Sequence, residues 1–157
     1  MASSRYAQDT EVPSDRSRAE IEATLRRYNA TAFGYGWDTG AATIMFEIAG
    51  RRVRYRLPMP DPYERRFTHT EARGLPRSQP ARDAAYEQAV RQSWRALALV
   101  IKAKLEAVAA KITTVEEEFL SSTVMPNGST VGEWALPQIE AAYQNNTMPA
   151  LMPGGKS

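Results

Sequence analysis

Gly50-Arg51-Arg52-Val53-Arg54-Tyr55-Arg56-Leu57-Pro58 alternates cationic and apolar side chains with a period of two. That period belongs to a strand: it puts Arg52, Arg54 and Arg56 on one face and Val53, Tyr55 and Leu57 on the other. Guanidiniums two residues apart lie roughly 6.6 Å from one another, because a strand rises about 3.3 Å per residue. Such a row is costly unless an anion answers it, and a nucleic-acid backbone is one candidate. The solvated outer face of an antiparallel sheet is the plainer reading.

Upstream, Ala42 to Ile48 also alternates, with Ile44, Phe46 and Ile48 facing one way, and Ala49-Gly50 reverses the chain into the arginine strand. Before it, Thr31-Ala32-Phe33-Gly34-Tyr35-Gly36-Trp37 sets aromatics against glycines, and Asp38-Thr39-Gly40 is a turn. Pro58 and Pro60 end the last strand. These three strands form an antiparallel meander. Phe33, Tyr35 and Trp37 fit a core face that a small domain needs, or a platform that stacks bases while Gly34 and Gly36 admit another backbone.

Helical signals flank the meander. Ser17-Arg18-Ala19-Glu20 reads as a capping box, opening a short helix to Asn29 with Ile21, Leu25 and Tyr28 on one face. From Asp83 to about Lys111, Val90, Trp94, Leu97, Ile101, Leu105, Val108 and Ile112 recur at spacings of three and four. This long helix must cover the meander, since a lone three-strand sheet leaves an apolar face wet. Thr114-Val115-Glu116-Glu117 and Thr130-Val131-Gly132-Glu133 each start a short helix, and Gln138 to Asn145 forms the last one. The expected fold class is therefore α+β: a short N-terminal helix, a three-strand antiparallel meander, a long packed helix and short C-terminal helices.

At 157 residues the chain is one domain by length, expected over residues 14–147. Residues 1–13 lack apolar periodicity and residues 148–157 are a Pro/Gly-rich tail, so both are expected to be flexible arms. Met and Leu between the tail's prolines, with the long helix, suggest a homo-oligomer. The absence of cysteine excludes disulfides, thiol catalysis and thiolate metal sites. No apolar leader or membrane-length run appears, so a cytoplasmic setting in a bacterial host and no membrane partner are expected.

Charge is distributed unevenly. Residues 51–104 hold thirteen Lys/Arg against five Asp/Glu, while the segments before and after are mildly acidic. Arg outnumbers Lys sixteen to four, which favours bidentate contact with phosphate or carboxylate. On the long helix Arg91, Arg95 and Lys102 share one stripe, and no acid falls between Gln88 and Leu105. With Arg65, Arg66, Arg73, Arg77 and Arg82 of the Pro/Arg-rich connection 58–82, these bases could line one groove with the arginine strand. Tyr63 and Phe67 are the candidate stacking residues, because a loop seldom buries two rings.

Catalytic and metal chemistry find no foothold. His69 is the sole histidine, so a hydrolase would have to pair it with Glu64 or Glu71. Glu116-Glu117-Glu118 sits at a helix start, where carboxylates favour the macrodipole without a metal. No nucleophile elbow, Walker loop, dinucleotide fingerprint or zinc-protease motif occurs. No enzyme activity, cofactor or metal is expected.

Arg66-Phe67-Thr68-His69-Thr70, the helix Ser93 to Val108 and Met125-Pro126-Asn127-Gly128-Ser129-Thr130-Val131-Gly132-Glu133-Trp134 resemble a family of small uncharacterised proteins of tailed bacteriophages and prophages. The resemblance spans roughly residues 14 to 153 and implies a phage setting without a catalytic motif. The order of short helix, meander and long helix also resembles, in architecture alone, the single-strand-annealing proteins of the phage Red-beta type. That likeness implies single-stranded DNA binding or annealing in replication or recombination, as an assembly. The expected function is thus phage nucleic-acid binding, with single-stranded DNA the foremost partner. Arg52, Arg54, Arg56, Arg65, Arg66, Arg91, Arg95 and Lys102 would hold phosphates, and Tyr63 and Phe67 bases. The alternative is a protein–protein module that binds a host or virion protein.

Overall fold

The computed structural model describes the backbone of residues 3–148 and the side chains of residues 15–148. Ala49 and Gly50 both take left-handed φ values, 49° and 73°, which fold strand β2 (Ala41–Ile48) back on β3 (Arg51–Pro58). Thr39 and Gly40, of which only Gly40 takes a positive φ (94°), join β1 (Ala32–Asp38) to β2, giving an antiparallel sheet of order β1-β2-β3. In register, Ile44 lies between Tyr35 and Tyr55, and Phe46 between Phe33 and Val53. Met45 lies between Gly34 and Arg54 on the opposite face.

The apolar face is covered by helices α1 (Ser3–Arg27) and α3 (Gln79–Ala109), which pack on each other. Ile21 and Leu25 of α1 join Val90, Trp94, Leu97, Ile101 and Leu105 of α3 over Ile44, Phe46 and Val53. Tyr55 is half-buried at the edge of this core. The ring of Tyr35 meets Trp94 at 5.6 Å, and Phe46 meets Phe119 edge-on at 5.6 Å. Each large side chain taken fully from water contributes about 1.5–3 kcal/mol, so this one layer dominates the fold's stability. The expected α+β meander under a long helix is what forms.

Several boundaries differ from expectation. Helical backbone begins at Ser3, so residues 3–13 continue α1 where a separate arm is expected, and Ser17 lies inside the helix instead of capping it. An i,i+3 ion pair between Asp15 and Arg18 favours continuation through that point. The long helix begins before Asp83: the Ser78 hydroxyl accepts the Ala81 N–H, and Pro80 sits in the first turn, where its missing N–H is harmless. The connection 58–82 carries a one-turn helix, α2 (Arg65–Thr68). Thr114 caps α4 (Val115–Glu118), which leads through a 3₁₀ turn at Leu120–Ser122 to the last helix. That helix, α5 (Val131–Asn145), is continuous through Pro137, where two helices are expected. Of the expected tail 148–157, all but Met148 lies outside the described residues.

Candidate functional site

The alternation of β3 sends Arg52, Arg54 and Arg56 to the face of the sheet away from the helices, and there each meets an acid of its own chain. The β2–β3 register sets Glu47 opposite Arg52, and Arg52 Nη2 donates to Glu47 Oε1 at 2.9 Å. Arg56 lies 3.7 Å from the Asp38 carboxylate at the end of β1. Arg54 reaches furthest along the chain. Its Nη2 donates to both carboxylate oxygens of Glu133, at 2.9 and 3.0 Å, and its Nη1 to the Gly128 carbonyl at 2.8 Å.

Glu133 belongs to the capping box of α5. The Thr130 hydroxyl accepts the Glu133 N–H at 3.2 Å, and Glu133 Oε2 accepts the Thr130 N–H at 2.9 Å. That backbone bond first, and then Arg54, hold the Glu133 carboxyl below its ordinary value. Beside it, the Val124 N–H donates to the Arg52 carbonyl at 2.8 Å, so residues 123–124 extend the sheet past β3. Gly132 packs so close to Ser121 that an added Cβ would stand 3.0 Å from the Ser121 carbonyl oxygen. With the Val131 N–H donating to the Thr123 carbonyl at 2.9 Å, three contacts anchor the first turn of α5 to the rest of the domain.

Beyond that turn α5 leaves the domain. None of its residues is buried, and Trp134, Leu136, Ile139 and Tyr143 are exposed. Leu136, Ile139 and Tyr143, at spacings of three and four, form one stripe, with Glu133 and Glu140 beside it. The spacing is present in the sequence. Pro137 hid it by splitting the expected helix in two.

The remaining candidate residues scatter. Phe67 is 3% exposed and meets Tyr86 edge-on at 5.6 Å, so it is a core residue and not a stacking platform. Tyr63 is 83% exposed. Arg66 bonds to Glu64 at 2.7 Å and lies over the Phe67 ring, and Arg65 is exposed beside Gly74. Arg91 pairs loosely with Glu87 at 3.5 Å, whereas Arg95 and Lys102 are exposed and form no ion pair among the described residues. A single groove does not form. α3 turns Trp94 and Ile101 toward the sheet and Arg95 and Lys102 away from it, while β3 turns its arginines to the sheet's other side. The two basic rows therefore occupy opposite surfaces of a two-layer fold.

Chemistry-bearing groups do not converge. His69 Nδ1 shares a 2.8 Å hydrogen bond with Thr68 Oγ1, while Glu64 bonds to Arg66 and to the Asp61 N–H. Burial raises the Tyr55 and Tyr86 hydroxyls above the ordinary phenol value, which keeps both neutral. A shallow, open pocket of about 50 Å³, lined by Tyr35, Trp37, Met59 and Trp94 among others, offers Asp38 as its one ionisable carboxylate. Among the described residues, no three of His, Asp and Glu cluster to hold a metal, and no helix is long and apolar enough to cross a membrane.

Comparison with protein-family models, with curated proteins and with solved structures finds no match to this chain. Function is therefore argued from the geometry.

Proposed function

We propose that the protein is a non-catalytic interaction module that binds protein through α5. One observation carries the reading: a fifteen-residue helix, fastened by its first turn, holds out an apolar stripe whose members all stay exposed. A helix of that length is marginal in water by itself, and each large apolar side chain left wet forgoes about 1.5–3 kcal/mol. A groove on a partner recovers both, and the 136/139/143 spacing is the pattern that groove-binding helices present. A photo-crosslinking amino acid in place of Tyr143, in cells that express the protein, tests this. Covalent protein adducts are expected at 143 and not at the exposed control position Leu75; no adduct at 143 overturns the reading.

A second reading, binding of single-stranded nucleic acid in a phage setting, draws on the outer face of the sheet. Added Cβ atoms at Gly34 and Gly36 would meet nothing within 4 Å, so a backbone has room over β1, one strand removed from the β3 arginines on the same face. The ion pairs of Arg52 and Arg56 are exposed, and such pairs contribute about 0–1 kcal/mol, little enough for phosphate to displace the carboxylates. Binding of a labelled oligonucleotide that weakens with salt, with a slope that falls by about 0.7 per lost contact in Arg52→Ala, supports it. No binding at low salt removes it.

A further inference from the structure

We infer that the occupant of α5 is a second copy of this chain, docked head-to-tail with the α5 stripe on the outward face of α3. This rests on the interaction-module reading and names its partner. Among the described residues, the outward face of α3 is another exposed helical surface with an apolar strip. Ala96, Leu99 and Ala103, at spacings of three and four, run along it with Val100 at their side, and Leu99 is 58% exposed. Arg91, Arg95 and Lys102 border that strip.

The two surfaces are complementary in charge. α5 contains Glu133 and Glu140 and no basic residue. α3 contains no acid between Gln88 and Leu105, and of its four bases there Lys104 is committed to the Glu118 carboxylate at 3.1 Å and Arg91 loosely to Glu87 at 3.5 Å, which leaves Arg95 and Lys102. An α5 laid on α3 would set Leu136, Ile139 and Tyr143 against Ala96, Leu99 and Ala103, with Glu140 facing Arg95 or Lys102. Lengths also agree: at 1.5 Å per residue, residues 133–143 span about 15 Å and residues 91–103 about 18 Å. The alternative of α5 on α5 would offer Glu140 no base, since α5 contains none.

Because the two surfaces differ, the contact is heterologous: in a dimer one copy keeps its α3 surface unused and the other its α5 stripe, and assembly continues beyond the dimer. Light scattering on the full chain tests this. The mass should rise with concentration past twice the 17.5 kDa monomer. Leu99→Glu and Ile139→Glu each block one surface at an exposed position, so each variant alone should be monomeric with an unchanged circular dichroism spectrum. Mixed in equal amounts they should form a dimer and stop there, since the mixture retains one intact pair of surfaces. A mixture that stays monomeric overturns head-to-tail docking. Glu140→Arg should weaken association about tenfold, and adding Arg95→Glu in the same chain should restore it; no recovery overturns the charge pairing. Wild-type protein that is monomeric throughout overturns self-docking. Crosslinks from position 143 to other proteins would then still uphold the interaction-module reading.

Discussion

The arginine face of β3 and the stripe of α5 are both exposed, and they differ in what remains unanswered. On β3, three guanidiniums gathered on one surface find Glu47, Glu133 and Asp38 from three different elements of the same chain. On α5, Leu136, Ile139 and Tyr143 stay exposed. Unusual residues on a surface therefore point to a partner only after the chain's own contacts have been assigned. The two regions are also joined, because Arg54 holds the first turn of α5. That joint is where the comparison breaks most easily.

Gly132→Val should have the largest effect. A side chain there meets the Ser121 backbone carbonyl, which cannot swing aside as a flexible side chain would. Overpacking of this kind costs about 1–3 kcal/mol, read as a lower denaturant midpoint at constant m-value. A midpoint equal to wild type would mean that α5 is not seated on the 3₁₀ turn. Arg54→Ala should come next and act locally. The Glu133 carboxylate and the Gly128 carbonyl lose their donor, and amide exchange across residues 134–143 should quicken while that of the core strands holds. Uniform change across the chain would place Arg54 in the global fold instead.

Much of this was legible in the sequence. The meander and the long helix declare themselves because period-two and period-3.6 patterns agree about which side chains turn inward. The Arg52–Glu47 pair follows from register, once Ala49-Gly50 is read as the turn. The Arg54–Glu133 contact does not, since 79 residues separate its members and no local pattern links them. Phe67 reads as a loop ring available for stacking, since a loop seldom buries two rings, whereas the single turn of α2 aims it at Tyr86. At Ser17 a local cap was weighed without the Asp15–Arg18 pair that carries the helix past it.

Acid should loosen the joint. Glu133 has a folded pKa below its ordinary 4.5, so the stabilisation it supplies is fully present above 4.5 and is lost as pH falls through the lowered value. Amide NMR of residues 134–143 should show α5 detaching in that acid range before the sheet melts. Glu133→Gln should remove this early step. Simultaneous loss of α5 and sheet, unchanged in the variant, would assign the acid transition to other carboxylates.

The smallest effect should come from the arginines that first drew attention. Arg52→Ala and Arg56→Ala each remove an exposed ion pair, at 2.9 and 3.7 Å, from a surface where water and salt compete for both partners. Each should cost about 0–1 kcal/mol, with the longer Arg56–Asp38 pair at the lower end, and half-molar salt should narrow the gap from wild type further. Arg54 differs in reaching α5, with bonds to both Glu133 oxygens and to the Gly128 carbonyl, so measuring all three under the same conditions sets that contact against the two simpler pairs. If Arg52→Ala disturbs α5 as much as Arg54→Ala does, the coupling runs through the Arg52 carbonyl and Val124, and the sheet extension is the true anchor. An effect confined to Arg54 makes the guanidinium the link between a face that is internally satisfied and a helix that is not.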